Sequence, residues 1–95
     1  MAILELKARI GGENGPVLKF KGRQAWALSE LTRAGERGVT PIEVPGPRWS
    51  DYVFKLRREG VAVETIDESH AGPYAGTHAR YKLATPVTII DEVRA

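Results

Sequence analysis

The 95-residue sequence predicts an α+β fold, on three observations. Several short stretches alternate apolar and polar residues, two segments between them carry apolar residues at helical spacing, and glycine- and proline-rich runs separate the pieces. The first alternating stretch is ILELKARI (3–10), with Leu4, Leu6, Ala8 and Ile10 on one side and Glu5, Lys7 and Arg9 on the other. Gly11, Gly12, Asn14, Gly15 and Pro16 then mark a turn, and VLKFK (17–21) alternates again, opposing Leu18 and Phe20 to Lys19 and Lys21. Together these predict an N-terminal β-hairpin.

Residues 23–34 (RQAWALSELTRA) change to helical period, with Ala27, Leu28, Leu31 and Ala34 in one stripe. Gly35 and Gly38 are stop signals, and Arg33 and Arg37 stand near the carbonyl end, where cations are favoured. Trp26 lies off the stripe and needs a cover, from the hairpin or from a partner chain. Thr40-Pro41 is a helix start, with Thr as N-cap and Pro in the first turn. That helix is short, because Pro45, Gly46 and Pro47 end it. Residues 48–59 form a second helical segment in which Trp49, Tyr52, Val53 and Leu56 share a face. Ser50, Asp51, Lys55 and Arg58 look outward, Phe54 and Arg57 sit on the flank, and Gly60 is the C-cap. Two further alternating stretches, 61–68 and 79–84, bracket the glycine-rich SHAGPYAGTH and predict a hairpin with a long tip. VTII (87–90) is one more short strand before a free end.

Composition narrows the function. Apolar residues make up 42% and charged residues 27%, which are globular values. The absence of cysteine excludes disulfides, thiolate zinc sites and thiol nucleophiles. No apolar run approaches the ~20 residues of a membrane span. Glu5, Lys7 and Arg9 interrupt the first apolar positions, so a signal peptide is not expected, and the expectation is a soluble, cytoplasmic protein without a membrane partner. His70 and His78 with Asp67 and Glu68 match no zinc spacing. GGENGP (11–16) lacks the Gly-Lys-Ser/Thr ending of a phosphate loop. Ser29, Ser50 and Ser69 have no nucleophile setting. Neither catalysis, a metal nor a cofactor is expected.

The net charge of +2 comes from 14 basic and 12 acidic side chains, so placement matters more than excess. Between Arg48 and Arg58, four bases (Arg48, Lys55, Arg57 and Arg58) stand against Asp51 alone. A basic stretch on a defined element points to a polyanion, or else to a solvated helix face. The predicted order is helix, short helix, turn, basic helix, strand, glycine-rich loop, strand. The segments TPIEV (40–44), PRWSDYVFKLRREGVAVET (47–65) and HAGPYAGTHARYKL (70–83) resemble the winged helix-turn-helix family. The resemblance spans residues 22–85. It implies one winged-helix domain over 1–95, comprising an added N-terminal β-hairpin (1–22), a helical part (23–59), a wing (60–85) and a C-terminal strand or tail (86–95). It also implies binding to double-stranded DNA, although winged helices serve as protein-interaction modules too.

Helix 48–59 is then the element for the major groove and wing 70–80 the one for the backbone or minor groove. Arg48 and Ser50 stand at the helix N-terminal end, where donors and the dipole can meet a phosphate. Lys55 and Arg58 can reach backbone or base edges. Asp51 accepts from cytosine N4 or pairs with Lys55 at i+4. Arg57 is a flanking support or phosphate contact. On the wing the candidates are His70, Tyr74, His78 and Arg80. A module this small suggests a homodimer, with the N-terminal hairpin, Trp26 and VTII as spare apolar surfaces. DNA binding requires a continuous positive face; Glu43, Asp51, Glu59, Glu64 or Glu68 breaking it would favour the protein-interaction module.

Overall fold

A computed structural model describes residues 3–46, 48–70 and 76–94. The elements are β1 (Ile3–Ile10), β2 (Val17–Lys21), α1 (Gly22–Ala34), a 3-10 turn (Gly35–Arg37), α2 (Trp49–Arg58), β3 (Val63–His70), β4 (Gly76–Leu83) and β5 (Val87–Arg94). They build two antiparallel sheets, β2-β1-β5 and β3-β4. The added N-terminal hairpin is present. Its turn is tight because Ile10 N–H donates to Pro16 O and Gly15 N–H to Gly12 O, both at 2.9 Å.

One face of β1 buries Leu6, Ala8 and Ile10, as the alternation predicts. Its first residues differ. Ile3 is buried and Leu4 is 51% exposed, the reverse of the expected phase. The cause is a register irregularity between Ile3 and Glu5 against β5. A one-residue slip sends each side chain to the other face of a strand. β5 is itself longer than the VTII segment and does not lead to a free end: Val87 pairs with Ile10 and Arg94 with Ile3. The hairpin thereby becomes a three-stranded sheet that joins the two ends of the described chain.

α1 packs on β1 and β2 and meets α2. Ala25, Ala27, Leu28, Ser29 and Leu31 are its buried residues. Trp26 packs against α2: the Trp49 ring lies 5.2 Å away and the Tyr52 ring 6.3 Å. The Arg23 guanidinium stands 4.2 Å from the Trp26 ring, within cation–π range.

The helix expected from Thr40 is reduced to one turn. Thr40 Oγ1 accepts from Glu43 N–H at 3.1 Å and Thr40 O from Val44 N–H at 2.9 Å. The predicted cap is therefore formed, but Pro45 supplies no N–H to extend the ladder. Just before it, Val39 pairs with Tyr81 of β4, donating to Tyr81 O at 2.7 Å and accepting from Tyr81 N–H at 2.8 Å. This single residue is a third strand for the wing sheet and ties the wing to the helical part.

Candidate nucleic-acid interface

α2 is amphipathic by spacing. Trp49, Tyr52, Val53 and Leu56 are buried in the core. Trp49 holds the helix in place: its ring stacks on Tyr81 at 6.1 Å, and its indole N–H donates to Val44 O at 2.7 Å. The opposite side carries Ser50, Asp51, Phe54, Lys55 and Arg58, all exposed except the half-buried Asp51. At about 100° of rotation per residue, Phe54 lies about 30° and Arg58 about 10° from the direction opposite the buried stripe. Phe54 is thus not a flank residue; it is near the centre of the outward face and 56% exposed.

The cations of this face are in different states. Lys55 Nζ lies 3.2 Å from Asp51 Oδ2, an i,i+4 pair across one helical turn. Arg57 is fastened to β3, with Nη2 donating to Val63 O at 2.6 Å and to Thr65 Oγ1 at 2.8 Å. Those bonds close the helix C-terminus onto the first wing strand. Arg48, at the N-cap position, and Arg58 make no ion pair among the described residues, and no side chain caps the helix N-terminus. The Arg58 guanidinium carbon stands 5.8 Å from the Phe54 ring centroid.

The wing cations are compensated. Arg80 Nε donates to Glu68 Oε2 at 2.5 Å, and Nη1 donates to Arg37 O at 2.9 Å and to Glu43 Oε1 at 3.3 Å. Arg37 pairs with the other oxygen of Glu43 at 2.9 Å, and His78 Nε2 lies 3.1 Å from Glu68 Oε1. Lys82 pairs with Glu36 at 3.0 Å. A chain of charges therefore runs from the 3-10 turn through the Thr40 turn to both wing strands. Sequence spacing could not reveal it, since Arg80 and Arg37 are 43 residues apart. The backbone of His70 closes β3, while Tyr74 lies outside the described residues. The structure brings Ser50, Asp51, Lys55 and Arg58 together on one helix face, with Arg48 at its start. It places Arg57, His78 and Arg80 in contacts that fasten the wing.

The Arg80 hydrogen bond, then that of His78, holds the Glu68 carboxyl below its ordinary value of 4.5; Arg37, then Arg80, does the same for Glu43. A carboxylate whose folded pKa is depressed contributes its pairing above the unfolded value and loses it as pH falls through the folded one. The Arg80 Nε–H resonance is therefore expected to be protected from solvent exchange near neutral pH and to lose that protection only as the pH falls below the ordinary glutamate value of 4.5 and through the depressed value of Glu68. Titration by NMR checks this; protection unchanged down to pH 2 would remove Glu68 as its partner.

Among the described residues no three His, Asp or Glu side chains converge as a metal site needs, and no helix is long and apolar enough to cross a membrane. What the geometry offers is a helix with one fully buried stripe and one polar, partly cationic face, presented by a capped turn behind it and followed directly by an antiparallel hairpin. That arrangement defines a winged helix-turn-helix module. The chain belongs to the winged helix domain family, whose model matches residues 17–93. No curated protein and no solved structure matches it.

Proposed function

We propose that this protein binds double-stranded DNA as a small cytoplasmic transcriptional regulator, with α2 in the major groove and the wing along the backbone or minor groove. The observation that carries the reading is the division of α2: a stripe wholly buried in the core, opposite a face bearing Ser50, Lys55 and Arg58 with Arg48 at its start. A major groove about 12 Å wide accepts such a helix. Family membership supports a binding role without catalysis or cofactor. In this reading Arg57, His78 and Arg80 set the direction of the wing, and His70 and Tyr74 are its further proposed DNA contacts.

A homodimer would double the contact area. Of its proposed surfaces, Trp26 is engaged with α2 and the VTII residues with β1. What remains is the two outer edges of the β2-β1-β5 sheet, with Val17 on the hairpin strand β2 and Ile90 and Val93 on β5 nearly half exposed. An unpaired edge strand with apolar side chains can take up a second strand.

The test is fluorescence anisotropy on a random-sequence duplex at low and physiological salt, with sedimentation to read the number of chains bound. Binding is expected to weaken steeply with salt, and Arg48→Ala/Lys55→Ala to lower the slope of log affinity against log salt by about 2. No binding at low salt, or binding indifferent to salt, would sink the proposal. One observation favours a second reading, a protein-interaction module: Glu43 and Glu68 compensate Arg80, and Asp51 pairs with Lys55, so acids interrupt the positive face.

A further inference from the structure

We propose that Phe54 and Arg58 are the residues through which α2 reads base sequence: Phe54 against the C5-methyl of a thymine, Arg58 against the N7 and O6 edge of a guanine close by. The inference rests on the DNA-binding reading above and adds to it the bases recognised. Arg58 stands nearest the centre of the outward helix face, where a groove floor would lie, with Phe54 and the acidic Asp51 about 30° to either side of that centre. Phe54 is a large apolar ring left 56% exposed among polar and charged neighbours. The thymine methyl is the apolar feature of the major groove, and a Phe side chain is one of the groups that meets it.

Of the other cations near this face, Arg48 stands at the helix start, away from its centre, and the rest are engaged: Lys55 with Asp51, Arg57 with Val63 and Thr65, Arg80 with Glu43 and Glu68. Arg58 makes no ion pair among the described residues, and its guanidinium lies 5.8 Å from the Phe54 ring. That contact orders the arginine fork beside the ring without using its donors. Residues four apart on a helix are about 6 Å apart along its axis, and base pairs about 3.4 Å along the duplex, so the two readers fall on adjacent or next-but-one pairs. Ser50, one turn before Phe54, and Asp51 complete the row, Asp51 disfavouring phosphate beside it.

The experiment uses the full chain and a randomised duplex pool. The selected duplex is then remade with deoxyuridine replacing each thymine in turn, which removes the methyl and keeps the pairing. At one position the replacement is expected to weaken wild-type binding about fourfold, the worth of one buried methyl group. Phe54→Ala is expected to bind the thymine and deoxyuridine duplexes alike, and Arg58→Ala to lose preference for a guanine within two pairs of that position. Phe54 is exposed, so its variant should keep the wild-type urea midpoint, which is measured alongside. A selected site without thymine, no penalty from deoxyuridine at any position, or the same penalty in Phe54→Ala would overturn base reading by Phe54 while salt-dependent DNA binding stands. Failure to bind any duplex at low salt would overturn both and leave Phe54 as a contact for a protein.

Discussion

Trp49→Ala is expected to bring the protein close to unfolding. Trp49 is 2% exposed, and its ring lies 5.2 Å from Trp26, 6.1 Å from Tyr52 and 6.1 Å from Tyr81. These rings belong to α1, α2 and β4, so one side chain ties both helices to the wing. Its N–H also satisfies Val44 O, which closes the Thr40 turn. Truncating a buried Trp to Ala costs about 3–5 kcal/mol. A domain of this size has roughly 5–15 kcal/mol in total. The packing around the ring leaves little room for collapse: a Cβ added at Gly46 would come within 3.0 Å of the indole nitrogen and 3.2 Å of the Trp26 ring. Urea denaturation followed by circular dichroism would measure the loss. Trp49→Phe separates two causes. It keeps an aromatic ring and loses the donor to Val44, so a smaller cost of about 1–3 kcal/mol is expected. An unchanged urea midpoint in Trp49→Ala would show that the aromatic cluster does not hold α2 in place.

Gly38→Ala should destabilise the wing nearly as much. Gly38 has φ 73° and ψ −176°, a region that is essentially confined to glycine. A Cβ there would lie 2.7 Å from Tyr81 O and 3.2 Å from Arg80 Cγ. Tyr81 O is the acceptor of the Val39 N–H, so the backbone cannot withdraw without breaking that bridge. Strain and the loss of the two bridge hydrogen bonds together cost about 2–4 kcal/mol. The melting temperature is then expected to fall by roughly 10–25 °C. Gly60→Ala is the control. Gly60 has φ 97° with nothing within 4 Å of an added Cβ, so it carries backbone strain without the clash. Equal melting temperatures for the two variants would show that the Val39–Tyr81 bridge contributes nothing to wing attachment.

Much of the candidate interface was legible because it rests on local spacing. The stripe of Trp49, Tyr52, Val53 and Leu56 follows from helical period, and the Asp51–Lys55 pair from i,i+4 proximity. Spacing by eye sets Phe54 on the flank, yet its rotation against the buried stripe puts it about 30° from the centre of the outward face. The signal was present in four residue positions. Arg57 and Arg80 were different. Their side chains are long enough to reach solvent, DNA or a neighbouring strand, and spacing does not choose among them. Their acceptors, Val63, Thr65, Arg37, Glu43 and Glu68, are supplied by folding. These contacts use both side chains to fasten the wing, which for Arg57 is the flanking support that the sequence offers beside a phosphate contact.

The same division runs through the fold. The sequence by itself determined both hairpins, the extent of α1 and α2, the buried face of α2 and the Thr40 cap, since each depends on residues within a turn or a few positions of one another; on α1 the buried face also takes in Ala25 and Ser29, while Ala34 is only half-buried. Tertiary structure decided that α2 covers Trp26, that β5 pairs with β1, and that a slip in this pairing buries Ile3 and exposes Leu4. It also reduced Val39 to a one-residue strand. Each of these depends on which distant segment supplies the hydrogen-bond partner or apolar surface. A strand's alternation records that one face is buried, but not against what, and its phase can be reset by one residue of bulge.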